Sequence, residues 1–264
     1  MNDETKKKIK GALGRMADAA GLLVPNFRSK LIVVTFHRVN DWMTEDGITC
    51  DSRKFETFCR YFRNHFNVVP LTEQVAGCRD GRPMGGTLSI TFDDGYRDNV
   101  EVAAPILRRL ELPATFFVTT GFIGSDYVPP WDAHLPQQPG WMTWEQVRAL
   151  RKQQFDIGGH TVHHIDMGAE SPEVIRGELA QCRATLEEKL GEPATLFAYP
   201  FGGRSNISAE AVGMVREAGF ECCVSACGGI NSPVADPFSL NRISVGGLFA
   251  TPDQLGFEIF SKRA

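Results

Sequence analysis

Short apolar runs rich in β-branched and aromatic residues alternate along this chain with longer stretches of helical spacing, and that alternation limits the fold most. Strands are expected at 31–37, 68–71, 87–92, 114–119, 155–158, 195–199, 220–225 and 242–245. Helices are expected at 52–66, 99–110, 143–153, 172–190, 208–218 and 252–260. Several of these carry start signals: Thr143 ahead of Glu145, Ser171 ahead of Pro172, Ser208 ahead of Glu210 and Thr251 ahead of Pro252. Strands alternating with helices imply a mainly parallel sheet with the helices outside it. Eight strand candidates in 264 residues point to a single α/β domain, a TIM-like barrel that is incomplete or distorted. A doubly wound open sheet is the other arrangement the pattern allows. The least regular stretch, 121–140, is rich in Pro, Gly and aromatics, and loops of that length are often functional.

Composition narrows the partners. At 42% hydrophobic and 23% charged residues the chain can bury a substantial core. A net charge of −4 argues against nucleic acid, because phosphate neutralisation needs a basic surface. No apolar run approaches the roughly 20 residues that span a bilayer. Residues 1–28 are expected to form a helical extension to a barrel occupying 29–264. In that extension Ile9, Leu13, Met16, Ala20 and Leu23 fall close to helical spacing, with Lys6, Lys7, Lys8, Lys10 and Arg15 alongside. Such a segment either packs on the domain as a peripheral helix or rests on a membrane surface as a basic amphipathic one. Its basic section leads into no continuous apolar core of a signal peptide, so a cytoplasmic location, with or without membrane association, is expected. The seven cysteines are odd in number and irregularly spaced, which fits reduced thiols. Cys222, Cys223 and Cys227 lack paired C-x-x-C spacing and read as buried strand residues.

The strongest local signal is Thr-Phe-Asp-Asp-Gly, Thr91 to Gly95, at the end of an apolar run. Two adjacent carboxylates there are costly without a compensating partner, and a divalent cation is one. One carboxylate can then bind metal while its neighbour handles a proton. Gly95 permits a tight exit that leaves both at the strand's C-terminal mouth, where barrel active sites lie. A second short strand ends in Gly-Gly-His-Thr-Val-His-His, Gly158 to His164. Imidazoles at His160 and His164 are four residues apart and can meet one cation. His163 could replace His164, and Asp166 could orient a ligand imidazole. Asp94, His160 and His164 together leave coordination positions open, as in a catalytic rather than a structural site, with zinc as the default ion.

These motifs, with Phe-Ala-Tyr-Pro-Phe-Gly at Phe197–Gly202, resemble in content and order the polysaccharide deacetylases that share the NodB homology domain, and the matching segments run from His37 to about Val245. The resemblance implies a distorted (β/α)7 barrel that removes N-acetyl groups from an amino-sugar-containing polysaccharide or oligosaccharide with one divalent metal ion. It implies Asp93 as the base, Asp94, His160 and His164 as metal ligands, and Thr161 as a small polar support. Tyr199, Pro200 and Phe201 would form the groove wall, with the Phe201 N–H holding the oxyanion. Two positions depart from the family pattern. Where an arginine commonly stands two residues before the motif's proline, this chain has Ala198, for which Arg242 or Arg204 could substitute. The late Leu-x-His motif is represented by Leu240-Asn241-Arg242, without a histidine. Val34–Val39, however, is similar to the Tyr-His-x-Val segment of biofilm-polysaccharide deacetylases, which implies His37 as the acid. In a closed barrel the first and last strands are neighbours, so an imidazole can reach the same place from either. Two other readings are a deformylase or deacylase of a lipid-linked or nucleotide-linked amino sugar, and a carbohydrate-binding homologue with impaired catalysis. Trp131, Trp141 and Trp144 could line a sugar groove or anchor the loop. His65 and His134 carry no readable signal.

Overall fold

Apolar runs flanked by turn residues become strands here when they can bury both faces, and the order of elements follows the expected alternation. The structure, a computed structural model, describes residues 2–263. Helices α1 (Asp3–Ala19) and α2 (Leu23–Phe27) precede β1 (Ile32–Phe36). There follow β2 (Arg38–Val39), β3 (Thr49–Cys50), α3 (Ser52–His65), β4 (Asn67–Val68), α4 (Leu71–Arg79) and β5 (Thr87–Phe92). Next come α5 (Ala104–Arg109), β6 (Thr115–Val118), α6 (Trp144–Lys152), β7 (Asp156–Gly159) and α7 (Pro172–Leu190). The chain ends with α8 (Ala211–Glu217), β8 (Val224–Ser225), β9 (Leu240–Asn241), β10 (Ile243–Ser244) and α9 (Pro252–Ser261).

The parallel ring closes. β1 pairs with β5 on one side (Val34 with Ile90) and with β10 on the other (Val34 with Ile243), and β5, β6 and β7 follow in order. Single bridges from Gly159 to Phe197 and from Ala198 to Val224 carry the ring across its weakest part, and β8 pairs with β9. Arg242 then joins β9 to β10. The fold is a distorted seven-stranded (β/α)7 barrel in a single domain; the open sheet is excluded by the β1–β10 pairing. Ile32, Val34 and Phe36 face the outer helices, where Phe36 meets Phe55 at 5.0 Å and Phe92 at 5.7 Å between ring centres. Val33, Phe117, Leu196, Ala198, Cys222, Val224 and Leu240 form the inner cluster, with Leu71 and Val75 of α4 against it. Successive strand residues alternate between these two faces, so Thr35 and Thr91 share the inner face above the apolar plug.

Some elements differ from expectation for identifiable reasons. The apolar run at 68–71 splits: Val68 ends a two-residue strand beside the start of β5, and Pro70 caps α4, a helix the sequence pattern hid. The 99–110 helix begins with a π-helical turn at Asn99–Ala103, because Pro105 has no N–H and crowds the carbonyl four residues back. Residues 195–199 supply only two bridges, with Pro193 and Pro200 limiting the donors around them. Residues 220–225 narrow to β8, and 208–218 to α8, whose N-cap is Glu210 rather than Ser208. The caps at Thr143, Ser171 and Thr251 are in place, Thr143 as a full capping box with Gln146. All seven cysteines are free, and only Cys227 is partly exposed.

Candidate active site

The Asp93–Asp94 pair sits where β5 leaves the ring. Asp93 N–H donates to the Phe36 carbonyl at 3.1 Å and so prolongs the β1–β5 ladder by one residue. Asp94 then adopts φ 74° and Gly95 φ 93°, a reversal that sends the two neighbouring carboxylates to different partners. The positive φ is what favours glycine at 95; a Cβ there would meet only Ile123 Cδ1 closely, at 2.8 Å, the movable end of a side chain. Asp93, 3% exposed, is held on both oxygens by the guanidinium of Arg242 at 2.7 Å each. Arg242 is fully buried and also donates to the Ser225 carbonyl at 3.0 Å and to the Thr35 and Thr91 hydroxyls at 3.3 and 3.1 Å. Burial pushes the Asp93 carboxyl up, but Arg242 first, then His160 and His37, hold it below the ordinary carboxylate value. Arg242 therefore stands under Asp93 in place of the arginine that Ala198 lacks; Arg204, in an exposed 3-10 turn, does not.

The second arm comes from β7. His160 N–H donates to the Val118 carbonyl at 3.1 Å, and its Nδ1 donates to the Ala198 carbonyl at 2.8 Å. That bond fixes the tautomer, leaving the Nε2 lone pair towards Asp94 Oδ1, 3.4 Å away. His164 Nε2 lies 3.3 Å from the same oxygen. The three ligand atoms fall within 4.8 Å of one another. Ligands about 2.1 Å from one tetrahedral centre stand about 3.4 Å apart, close to the two Asp94–histidine separations. Asp94 Oδ1 is buried and has no hydrogen-bond partner, which is the expected condition of an oxygen that a cation would satisfy. The residues fit a divalent cation.

The loop between the two histidines is clamped from α7. Glu178 accepts from the backbone N–H groups of Val162 and His163 at 2.8 and 3.0 Å, and its other oxygen meets His163 Nδ1 at 2.5 Å. His163 thus points out to Glu178, 67% exposed, and is no alternative to His164. Asp166 serves Asn206 and the Gly168 N–H rather than an imidazole; the Ala198 carbonyl has that orienting role. Thr161 is fully buried at φ 62°, with its hydroxyl unpartnered.

A cavity of about 380 Å³ opens over these groups, with His37, Asp93, Asp94, His160 and His164 at its floor. Trp131, Phe201, Ile48 and Leu248 form apolar walls. His37 Nε2 stands 3.8 Å from Asp93 Oδ2, and burial lowers its pKa more than the neighbouring carboxylates raise it. Phe201 has φ 58° and a half-exposed ring 4.6 Å from that of His164. The expected groove wall is corrected in part: Tyr199 is buried, its hydroxyl 3.1 Å from Cys223 Sγ, and neither it nor Pro200 lines this cavity. Trp131 is set by a buried chain of polar contacts. Its indole N–H donates to Tyr96 Oη at 2.9 Å, Tyr96 donates to Asp132 at 2.8 Å, and Asp132 pairs with the buried guanidinium of Arg38. Trp141 stacks on Tyr96 and Trp144 begins α6, so both anchor structure; His65 stacks on Tyr61 and His134 lies exposed in the loop. Glu178 and Asp132 escaped the sequence reading because neither sits in a motif, and Arg38 because it fills the variable position of the His37 segment; only the polar Asp132 within the long aromatic loop offered a hint.

A polysaccharide deacetylase family model matches residues 80–223. YxkH of Bacillus subtilis (strain 168), a protein that carries the polysaccharide deacetylase name, is 22% identical over 219 residues, covering 82% of this chain and 72% of its own. Among solved structures, the Streptococcus pyogenes deacetylase PplD in complex with acetate superposes with a TM-score of 0.73 at 22% identity, over 86% of this chain and 96% of that one. A de-N-acetylase from Aggregatibacter actinomycetemcomitans gives 0.72 at 17% identity, over 86% and 99%.

Proposed function

Because the chain belongs to the polysaccharide deacetylase family, we propose that it is a metal-dependent hydrolase that removes N-acetyl groups from an amino-sugar-containing polysaccharide or oligosaccharide. Residues 29–264 would form its catalytic barrel and 1–28 an added helical segment. The observation that carries this reading is the unpartnered Asp94 Oδ1 facing the imidazoles of His160, whose tautomer is fixed, and His164, beside a second carboxylate engaged elsewhere. Asp94, His160 and His164 would hold one divalent cation, zinc by default. When bound, the cation supplies Lewis acidity, polarising the acyl oxygen and acidifying water.

The remaining chemistry belongs to the chain. Asp93, kept ionised and immobile by Arg242, accepts the proton of the attacking water on the oxygen that faces His37. His37 is neutral at rest, since burial lowers it, so it must gain a proton before it can act as an acid. Asp93 Oδ2 is 3.8 Å away and is its nearest source. His37 then protonates the departing nitrogen, without which an amine cannot leave. The Phe201 N–H would serve as the oxyanion donor, from a residue that lines the cavity. Trp131, Phe201, Ile48 and Leu248 give apolar surface for the C–H faces of a sugar ring. Supporting this substrate class, one structural relative is a de-N-acetylase and another was solved with acetate.

The test is metal content and turnover measured together. Purified protein should hold one equivalent of metal and release acetate from N-acetylated oligosaccharides, and chelation should abolish both. His160→Ala and His164→Ala should lose the metal, while Asp93→Asn should keep it and lose turnover. Stoichiometric metal in both histidine variants would remove the ligand assignment, and formate release without acetate would redirect the acyl group.

A further inference from the structure

An ordinary surface helix turns its large apolar residues inward; α1 does the reverse. Its buried residues are Gly11 and Gly14, and it lies so close to α9 that a Cβ on Gly14 would sit 2.0 Å from the Asp253 carbonyl oxygen. Lys10 to Glu258 at 2.6 Å and Arg15 to Asp253 at 3.3 Å pin the helix in that orientation. It cannot roll over without forcing bulk into the glycine contact. Its large apolar side chains therefore face out, with Ile9 44%, Leu13 40% and Met16 68% exposed, along one stripe at i, i+4 and i+7. Leu22 and Val24 continue the surface at the start of α2. These positions supply five of the twelve exposed large hydrophobic residues among those described.

The charge around the stripe is net positive. The first thirty residues carry seven cationic and three acidic side chains, a net +4 in a chain whose total is −4. At about 100° per residue, Lys6 falls beside the stripe on one side and Lys8, which also meets Glu4 at 2.7 Å, on the other. Large apolar groups flanked by lysines fit the boundary of an anionic lipid layer, where the apolar face enters among the chains and the cationic heads reach phosphate. A second copy of α1 would meet like charge, which disfavours a dimer across the same face. No described helix is long and apolar enough to cross a membrane, so such contact lies in the plane of the surface.

We propose that the outer face of α1, extended by Leu22 and Val24, docks on an anionic lipid surface; this is independent of the hydrolase reading. The test is sedimentation of the full chain with vesicles of phosphatidylcholine alone and of phosphatidylcholine with equimolar phosphatidylglycerol. Binding should require the anionic lipid and weaken with salt. The pair Lys6→Gln and Lys8→Gln should reduce partitioning by up to about twenty-five-fold, from about fivefold per cation. Leu13→Gln with Met16→Gln should reduce it about tenfold or more by removing buried apolar area. All four positions are exposed, so the thermal midpoint should stay unchanged and show that the variants fold. Equal binding to both vesicle types, no binding to either, or binding that survives these substitutions overturns the proposal. So does a concentration-dependent dimer that Leu13→Gln with Met16→Gln abolishes, since that would assign the face to a second copy.

Discussion

Arg242→Met replaces the guanidinium under Asp93 with an unbranched apolar chain of similar reach. It deletes both bonds to the carboxylate and those to Ser225, Thr35 and Thr91. With Arg242 fully buried and Asp93 3% exposed, no solvent is at hand to take over. Breaking a buried ion pair from one side costs about 3–5 kcal/mol. At about 2–4 °C per kcal/mol for a chain of this size, that lowers Tm by roughly 10 °C near neutral pH. The pH dependence separates loss of charge pairing from simple loss of packing. In the parent, Asp93 is depressed below its ordinary value, so the pairing stabilises above the unfolded carboxylate pKa and fades as pH falls through the folded one. In the variant, burial acts with its chief opponent gone, and the carboxyl rises above the unfolded value. Its contribution is then greatest in acid and is lost as pH increases. Calorimetry of both proteins at each pH should show the widest Tm gap at about pH 7, narrowing towards about pH 4–5, because titrations common to both cancel. The acid limb of kcat/KM should move upward with it. A gap that does not change with pH, or one under about 2 °C throughout, refutes the reasoning. If Arg242→Met does not fold, Arg242→Lys keeps the charge but loses the two-point fork and should show a smaller effect of the same sign.

His37→Gln should lower kcat by about 10²–10⁴ while leaving metal content and fold in place, as for removal of a proton donor; parent-like turnover would take the acid role from His37. Glu178→Ala releases the Val162 and His163 N–H groups between the two histidines. Metal affinity, measured by competition with a chromophoric chelator, should fall by about 10–100-fold. Unchanged affinity would show that the loop holds its shape without the clamp.

Some parts of the molecule could be read directly because local chemistry and tertiary role agree there. The run TLSITF is bounded by Gly86 and the Asp-Asp-Gly turn, is buried on both faces, and is a strand over the expected residues. α7 also runs as expected, between the Ser171 cap and Gly191 in the left-handed region. α4 was missed since its first apolar residue, Leu71, closes a run that looks like a strand, and Gly77 and Cys78 give a weak helical signal. The histidines and aspartates of the candidate site were legible because side chains able to hold a cation are particular residue types, here at strand ends. The Ala198 carbonyl that orients His160 was not, because any residue carries a carbonyl. Glu178 was invisible for a related reason: one glutamate in an acidic helix looks like its neighbours until the fold sets it under a loop. Tyr199 misled in the other direction, as a motif aromatic whose ring fills the core.

What the site needs beneath Asp93 is a guanidinium, not a sequence position. The closed ring explains how one can arrive from a different strand. Ala198 and Arg242 lie on segments separated by a single strand, and both contribute to the interior that Thr35 and Thr91 share. With a small residue at 198, Arg242 can extend over the Phe117 ring, 5.5 Å from its centre, and reach both Asp93 oxygens. The same interior fixes the strained backbone. Six non-glycine residues among those described have positive φ; Glu111 and Gln154 merely follow helix ends, whereas Asp94, His164 and Phe201 line the cavity and Thr161 follows its lining residue His160. Each such residue costs of order 1–3 kcal/mol and persists only where its surroundings dictate it. Here the β1–β5 ladder, the Glu178 clamp and the Ala198 carbonyl hold the segments that bear Asp94, His160 and His164. The strain is thus concentrated where the candidate ligand atoms converge, on a frame that Arg242 completes from the last strand.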